Sequence, residues 1–249
     1  MANKKVVAIN SSRRKKNTYG IIESIGQGLQ KEDIEVEIIH LFDYQVEDCR
    51  GCERCLREGN CIIDDDMENL MDKLINADGL IISSPVYMGT VSGRLKTFLD
   101  RTCVWFHRPQ LVGKPALTVA TTAGSGLKST LKYLEKVSIE WGMQPTEKIG
   151  RSAVTMQKPI QEKEYQDFIN HLYMDQEEYR PTLKQLISYQ VQKVLALKLL
   201  KIDRDYWQEK GWASSLFYFD GSISIFKKIF AGAFYKMLDA RIEPVEESS

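Results

Sequence analysis

The chain has 249 residues, 43% of them hydrophobic and 27% charged, which suits one α/β domain of about 150 residues with an added segment. Lysine plus arginine equals aspartate plus glutamate at 34 each, so no net field favours nucleic acid or an acidic membrane surface. The basic start, Met1 to Lys5, is followed by only a short apolar run, Val6–Ile9, too short for a signal-peptide core, and no run is long enough to span a bilayer. The expected setting is a reducing cytoplasm, where disulfides are rare.

Up to about residue 153, short apolar runs alternate with segments of helical period, the pattern of a parallel sheet covered by helices. Val6–Ile9 reads as a buried strand. Thr18 is placed to cap a helix carrying Ile21, Ile22, Ile25 and Leu29 on one stripe, and Val36–Leu41 reads as a second strand. Asp65 and Glu68 have capping-box spacing ahead of Met67, Leu70, Met71, Leu74 and Ile75. Gly79–Ser83 is the third strand, and Leu95, Phe98, Leu99 and Thr102 mark the next helix. Ala116–Ala120 is the fourth strand. Leu127, Leu131, Leu134 and Trp141 continue as a helix that Gly142 stops. A weak fifth strand within Met143–Val154 would complete five βα units.

Beyond about residue 155 the pattern changes to amphipathic segments, Glu162–Tyr179 and Thr182–Ile202, divided at Arg180-Pro181, where proline would start a new helix. The last forty or so residues are rich in aromatics, Tyr206 to Tyr235. The expected division is a sheet domain over 1–153 and a helical, aromatic-rich extension over 154–249. That extension would pack on the domain or on a neighbouring subunit.

In an open parallel sheet the ligand lies outside the carboxyl ends of the strands, so the loops there carry the chemistry. The first is Asn10-Ser11-Ser12-Arg13-Arg14-Lys15-Lys16-Asn17-Thr18. Hydroxyls, backbone N–H groups and a helix start make a phosphate cradle. Neither G-x-G-x-x-G nor G-x4-G-K-[ST] occurs, which argues against a dinucleotide Rossmann site and against an ATPase. The bland alternative for Arg13–Lys16 is a solvated basic turn. The second loop is Ser83-Ser84-Pro85-Val86-Tyr87-Met88-Gly89-Thr90, where proline stiffens, Gly89 admits close backbone approach, and Tyr87 with Met88 suits a flat ring. The third, Thr121-Thr122-Ala123-Gly124-Ser125-Gly126, offers small residues and N–H groups at a helix start. Each alone is weak, since such residues often form plain turns; together they follow strands one, three and four.

Four cysteines fall within thirteen residues, Cys49, Cys52, Cys55 and Cys61, in the spacing C-x2-C-x2-C-x5-C. Three thiols at intervals of three can converge on one face of an iron-sulfur cube, with the fourth from the returning chain. Zinc is the second reading, weaker because structural zinc sites usually pair two knuckles across a longer insertion. Four unliganded surface thiols are the third. Cys103, alone in an aromatic stretch, reads as core, and His40, His107 and His171 read as structural.

Taken together, Ser11-Ser12-Arg13 through Asn17-Thr18, Ser84-Pro85-Val86-Tyr87-Met88-Gly89 followed by Gly93–Arg101, and the cysteine run ahead of Asp65-Asp66-Met67 resemble a flavodoxin-like NAD(P)H-dependent FMN reductase of the iron-sulfur flavoprotein type. Over residues 1–153 the resemblance implies a doubly wound five-stranded parallel sheet in the order 2-1-3-4-5, with FMN across the strand ends. It implies that Ser11, Ser12, Arg13, Asn17 and Thr18 hold the phosphate and that Pro85, Val86, Tyr87, Met88 and Gly89 line the ribityl chain and ring. Thr121, Thr122, Ala123, Gly124 and Gly126 would border the isoalloxazine, and the four cysteines would ligate a [4Fe-4S] cluster. The sequence departs from the family in the first loop, where Asn10 stands for the usual glycine and Ser12 for the usual proline.

The implied activity takes hydride from NAD(P)H at FMN N5, with no catalytic side chain, and passes electrons to flavin, quinone or another small-molecule or protein acceptor. Two rivals from other classes are an electron carrier that exchanges electrons only with proteins, and a sensing or interaction protein that has lost the cofactor. The aromatic content of residues 206–235 points to a homo-oligomer, dimer or tetramer, with packing within one subunit or peripheral membrane contact as the alternatives.

Overall fold

The computed structural model describes residues 3–245. Five parallel strands form one sheet: β1 (Lys5–Asn10), β2 (Glu35–His40), β3 (Gly79–Pro85), β4 (Pro115–Thr122) and β5 (Gln144–Ser152), in the order β2-β1-β3-β4-β5. Val6 lies opposite Val36 on one side and Gly79 on the other. The connecting helices are α1 (Asn17–Lys31), α2 (Arg54–Glu58), α3 (Met67–Ile75), α4 (Gly93–Arg101), α5 (Val104–His107) and α6 (Leu127–Glu140). After β5 follow α7 (Gln166–Tyr173), α8 (Leu183–Lys198), α9 (Lys201–Glu209) and α10 (Ile225–Asp239).

Alternation along each central strand sends side chains to opposite faces. Val7 and Ile9 of β1 and Leu80 and Ile82 of β3 join Leu70, Leu74, Leu95, Phe98, Leu134 and Val137 of α3, α4 and α6 in one core. Val6, Ala8, Ile81, Leu117 and Val119 face the other way, onto Ile22, Ile25 and Leu29 of α1 and Phe168, Ile169 and Leu172 of α7. Thus α7, although it follows residue 153, covers the second face of the sheet. Gly79 allows this closeness: a Cβ there would lie 2.8 Å from Leu172 Cδ2 and 3.1 Å from Phe168 Cζ. Gly142 takes φ +84° directly after the C-cap of α6, the left-handed position that ends helices and favours glycine.

A third core lies among the C-terminal helices, where Tyr189, Trp207, Trp212, Phe217 and Tyr218 are buried together. Both tyrosine hydroxyls are paired: Tyr189 Oη donates to the Trp212 carbonyl at 2.6 Å and Tyr218 Oη to Gln192 Oε1 at 2.6 Å.

Three local expectations change. Thr18 is not a cap; it lies inside α1, whose N-cap Lys16 makes no side-chain cap bond, and its hydroxyl is 2.6 Å from Thr121 Oγ1. Asp65 forms no box with Glu68, because its carboxylate receives Arg101 and backbone N–H groups. The Glu162–Tyr179 segment is a 3₁₀ turn over Glu162–Glu164 followed by α7, and Thr182–Ile202 divides into α8 and α9. The start of α8 carries a full capping box between Thr182 and Gln185.

Candidate functional site

Because β1 has β2 on one side and β3 on the other, the connections leaving β1 and β3 pass to opposite faces and leave a crevice at the carboxyl edge. There the loops enclose a cleft of about 570 Å³ lined by Ser12, Arg14, Lys16, Asn17, Thr18, Pro85, Val86, Tyr87, Thr121, Thr122, Ala123, Ala153, Met156 and Gln157, within the usual size range of ligand sites. A second cavity, of about 640 Å³, lies between α6 and α8 and is floored by Phe106, Tyr133, Ile139, Ile187 and Val191. It has the larger volume, but it lies off the strand ends, and its exposed lining is mostly apolar although Lys132, Lys136, Glu140 and Lys184 also border it.

The cleft is cationic and rich in donors at one end. The first turn of α1 leaves N–H groups with no intrahelical partner, the first α-type bond being Gly20 N to the Lys16 carbonyl at 2.6 Å. Arg14 and Lys16 stand beside them, with Ser12, Asn17 and Thr18. A phosphate is attracted by this helix start and its two cations. The other end, Pro85, Val86, Tyr87, Ala123, Ala153 and Met156, suits a larger, less polar body. By donor chemistry and shape the cleft fits FMN.

Of the residues singled out from sequence, Ser12, Asn17, Thr18, Pro85, Val86, Tyr87, Thr121, Thr122 and Ala123 line this cleft. Ser11 does not: buried, it donates from Oγ to the Ser83 carbonyl at 2.9 Å and receives Ser92 Oγ at 3.0 Å, which ties the first loop to β3 and the start of α4. Arg13 lies with its guanidinium 5.7 Å from the centre of the exposed Phe42 ring, a cation–π contact outside the lining. Asn10, where the resemblance would expect glycine, is buried, with Nδ2 2.5 Å from His40 Nδ1. Burial lowers the His40 pKa, with Asp43 pulling the other way and Lys15 adding to the depression.

Tyr87 and Thr90 exchange backbone bonds at 2.9 and 3.1 Å around Met88 and Gly89, whose φ values are +48° and +80°. Positive φ at both central positions is a mirror-image tight turn. Met88 adopts it despite its side chain and stands fully exposed beside the cleft. Gly126, at φ +86°, is obligatory: a Cβ there would lie 2.7 Å from Gly89 Cα and 2.9 Å from Val86 Cγ1. It lets the loop after β4 close on the tight turn after β3. Gly124 has open space where a Cβ would be.

Sequence reasoning missed Arg14 and Lys16 as individual lining residues, and also Ala153, Met156 and Gln157. The same strand-end rule applied after β5 would have found the last three.

The four clustered cysteines are free, with Cys49, Cys52 and Cys61 exposed and Cys55 half-buried. Four unbridged thiols suit a thiolate-held iron-sulfur group by donor chemistry. Among the described residues, no group of three or more His, Cys, Asp or Glu side chains is gathered to hold a metal ion. Cys55 Sγ stands instead 3.8 Å from Cys103 Sγ. Burial, then the nearby Cys55, push the Cys103 thiol up to about 12, so it stays protonated.

Two arginines of α4 hold the segment around these cysteines. Arg94 donates to the carbonyls of Leu41 and Val46 at 3.0 Å each and to that of Tyr44. Arg101 donates to the Glu47 carbonyl at 3.0 Å and to both oxygens of Asp65 at 2.6 and 3.0 Å. Burial alone would raise the Asp65 pKa, but Arg101 and the N–H groups of Glu47 and Met67 outweigh it and leave the carboxyl below its ordinary value. The stability from this pair is therefore present above the ordinary carboxylate pKa and fades as pH falls through the lowered one. Asp65→Asn is expected to cost roughly 3–5 kcal/mol at pH 7, as for a buried pair stripped of one partner. In urea titrations its deficit against the native chain should shrink below about pH 4; a deficit that does not change with pH would contradict the assignment.

A 2-1-3-4-5 sheet with an anion-accepting cleft along its carboxyl edge defines a flavodoxin-like protein. Residues 4–153 match the NADPH-dependent FMN reductase family, and the chain belongs to that family. It is 28% identical over 224 residues to an iron-sulfur flavoprotein of Archaeoglobus fulgidus, covering 84% of this chain and 99% of that one. An iron-sulfur flavoprotein of Methanocaldococcus jannaschii is 35% identical over 134 residues, 52% of this chain and 69% of its own length. Among solved structures, RosB with a bound 8-demethyl-8-formylriboflavin-5'-phosphate intermediate overlays 99% of this chain and 92% of its own with a TM-score of 0.56 at 14% identity, a likeness of fold that includes the C-terminal helices.

Proposed function

We propose that the protein is an FMN-dependent oxidoreductase that takes hydride from NAD(P)H and delivers electrons to a flavin, a quinone or another acceptor, small molecule or protein. The observation that carries this reading is the cleft, cationic at the start of α1 and less polar toward Pro85–Tyr87 and Met156. Bound FMN supplies both hydride and single-electron chemistry.

The chain's own residues bind and orient. Arg14, Lys16, Asn17, Thr18 and the first N–H groups of α1 would hold the phosphate dianion. Ser11 and Arg13 would act from outside the lining, Ser11 by fixing the loop to β3 and Arg13 by adding charge at the mouth. The Pro85–Gly89 turn would flank the ribityl chain and ring, with Tyr87 against the flat face, and the Thr121–Gly126 loop would border the other edge and exclude water.

Cys49, Cys52, Cys55 and Cys61 would hold a [4Fe-4S] cluster, which supplies one-electron exchange with an outside partner. Support comes from the donor set and from the relatives' names; five free cysteines agree with a reducing, cytoplasmic setting. Anaerobic stopped-flow with NADH and with NADPH tests the enzyme reading. Flavin bleaching at rates that sustain turnover is expected with at least one nucleotide; no bleaching with either would leave the electron-carrier reading.

Self-association through α10 completes the proposal. Ile225, Phe226, Ile229 and Phe230 are exposed, Phe226 at 81%, and an apolar row of this kind favours an interface. Among the described residues no helix is long and apolar enough to cross a membrane. Phe226→Glu with Ile229→Glu is expected to lower the sedimenting mass to that of one chain; an unchanged oligomer would reject the interface, and recovery of the native chain with anionic vesicles would favour a membrane surface instead.

A further inference from the structure

Arginines recur every seven residues at 94, 101 and 108, and all three donate to the segment between β2 and α3. The first two find their partners within residues 41–65. The third needs the C-terminal helices. Arg108, buried, donates from Nη2 to the Cys55 carbonyl at 2.6 Å and from Nη1 to the Leu56 carbonyl at 3.2 Å. Its Nη1 also donates to the carboxylate of Asp203 on α9. Asp203 is fully buried, and its other oxygen is 2.9 Å from His107 Nδ1.

The backbone around Arg108 is fixed from the same side. The Phe106 carbonyl accepts from Gln192 Nε2 of α8 at 2.8 Å. Those of His107 and Pro109 accept from Trp207 Nε1 and Tyr206 Oη of α9 at 2.7 and 3.0 Å. Ile202 of α9 also approaches the cysteine loop: its Cδ1 would lie 3.6 Å from a Cβ on Gly59, the residue that ends α2.

Helix α2 needs such support. It has five residues and no buried one, far fewer than a helix needs to persist alone. Its closing carbonyls have no intrahelical partners, and a cation at a helix C-terminus is favourable. The Arg108 fork meets both requirements, and a full buried charge there is tolerable because Asp203 balances it.

We propose that Asp203 and Arg108 are positioning residues, through which the C-terminal helices set the backbone at Cys55 and so the placement of its thiol for metal binding. The inference rests on the reading of the four cysteines as cluster ligands, and its test is arranged to fail separately from it. Leu56 and Arg57 N–H groups donate to the Glu53 carbonyl at 3.0 and 3.1 Å, and their hydrogen exchange in the metal-free chain reports the order of α2. Asp203→Asn keeps the shape and removes the countercharge; Arg108→Lys keeps the charge and removes the planar fork.

Both variants are expected to exchange these two amides about tenfold faster while the β3 amides stay as protected as in the native chain. In the reconstituted protein both are expected to lose iron in air on the order of tenfold faster. Unchanged exchange at Leu56 and Arg57, acceleration shared equally by β3, or unchanged iron retention in both variants would overturn the proposal. If the native chain takes up no iron at all, the cluster reading fails and the exchange result alone decides whether the clamp exists.

Discussion

Replacing Asn17 and Thr18 together with leucine is expected to weaken FMN binding by about a hundredfold to a thousandfold. Both residues line the cleft at the start of α1, where the proposed FMN phosphate would meet an amide, a hydroxyl and the helix N-terminus. Hydrogen bonds to a charged group contribute about 1.5–3 kcal/mol each, so losing two removes roughly 3–4 kcal/mol or more, and each 1.4 kcal/mol is about tenfold in affinity. Thr18 also loses its 2.6 Å bond to Thr121, which loosens the join between the loops after β1 and β4. The check is a fluorescence titration of the apoprotein with FMN. Affinity within about threefold of the native value would show that the phosphate sits elsewhere.

Changing any one of Cys49, Cys52, Cys55 or Cys61 to serine is expected to abolish an iron content of about four per chain, the count of a [4Fe-4S] cluster held by four thiolates. Cys103→Ser should keep it. The contrast is sharp because Cys103 lies 3.8 Å from Cys55 yet outside the clustered spacing. Anaerobic reconstitution followed by iron and sulfide analysis, with electron paramagnetic resonance after reduction, reads the result. Stoichiometric zinc, or no metal in the native chain, would leave a flavin-only reductase. Iron lost from Cys103→Ser alone would move the ligand set.

The sheet was legible because its central strands are buried on both faces and therefore read as unbroken apolar runs, as Val6–Ile9 and Gly79–Ser83 do. The edge strand β5, QPTEKIGRS, pairs only with β4 and is half-buried, so its signal was weak. The cleft was legible in outline, since serine, threonine, glycine and proline at the strand ends of β1, β3 and β4 are what a close-fitting ligand needs.

Side-chain direction was not legible. Ser11 and Ser12 are adjacent and chemically alike, but just past the end of β1 the first turns inward to Ser83 and the second stays at the cleft. The basic run splits in the same way, Arg14 and Lys16 lining the cleft and Arg13 resting on Phe42. Helical periodicity across Glu162–Tyr179 concealed a break, because Gln161 and Glu164 form their own capping box on the 3₁₀ turn and Glu164 also pairs with Arg151. The seven-residue spacing of Arg94, Arg101 and Arg108 gains meaning only once residues 41–65 lie against them, a tertiary fact with no local signature.

Whether the strand-end cleft holds FMN is read from the identity of the molecule released by heating the purified protein. Mass analysis is expected to find FMN, close to one per chain and absent from the Asn17→Leu, Thr18→Leu variant. Release of FAD, or of no flavin even after incubation with FMN, would contradict the account.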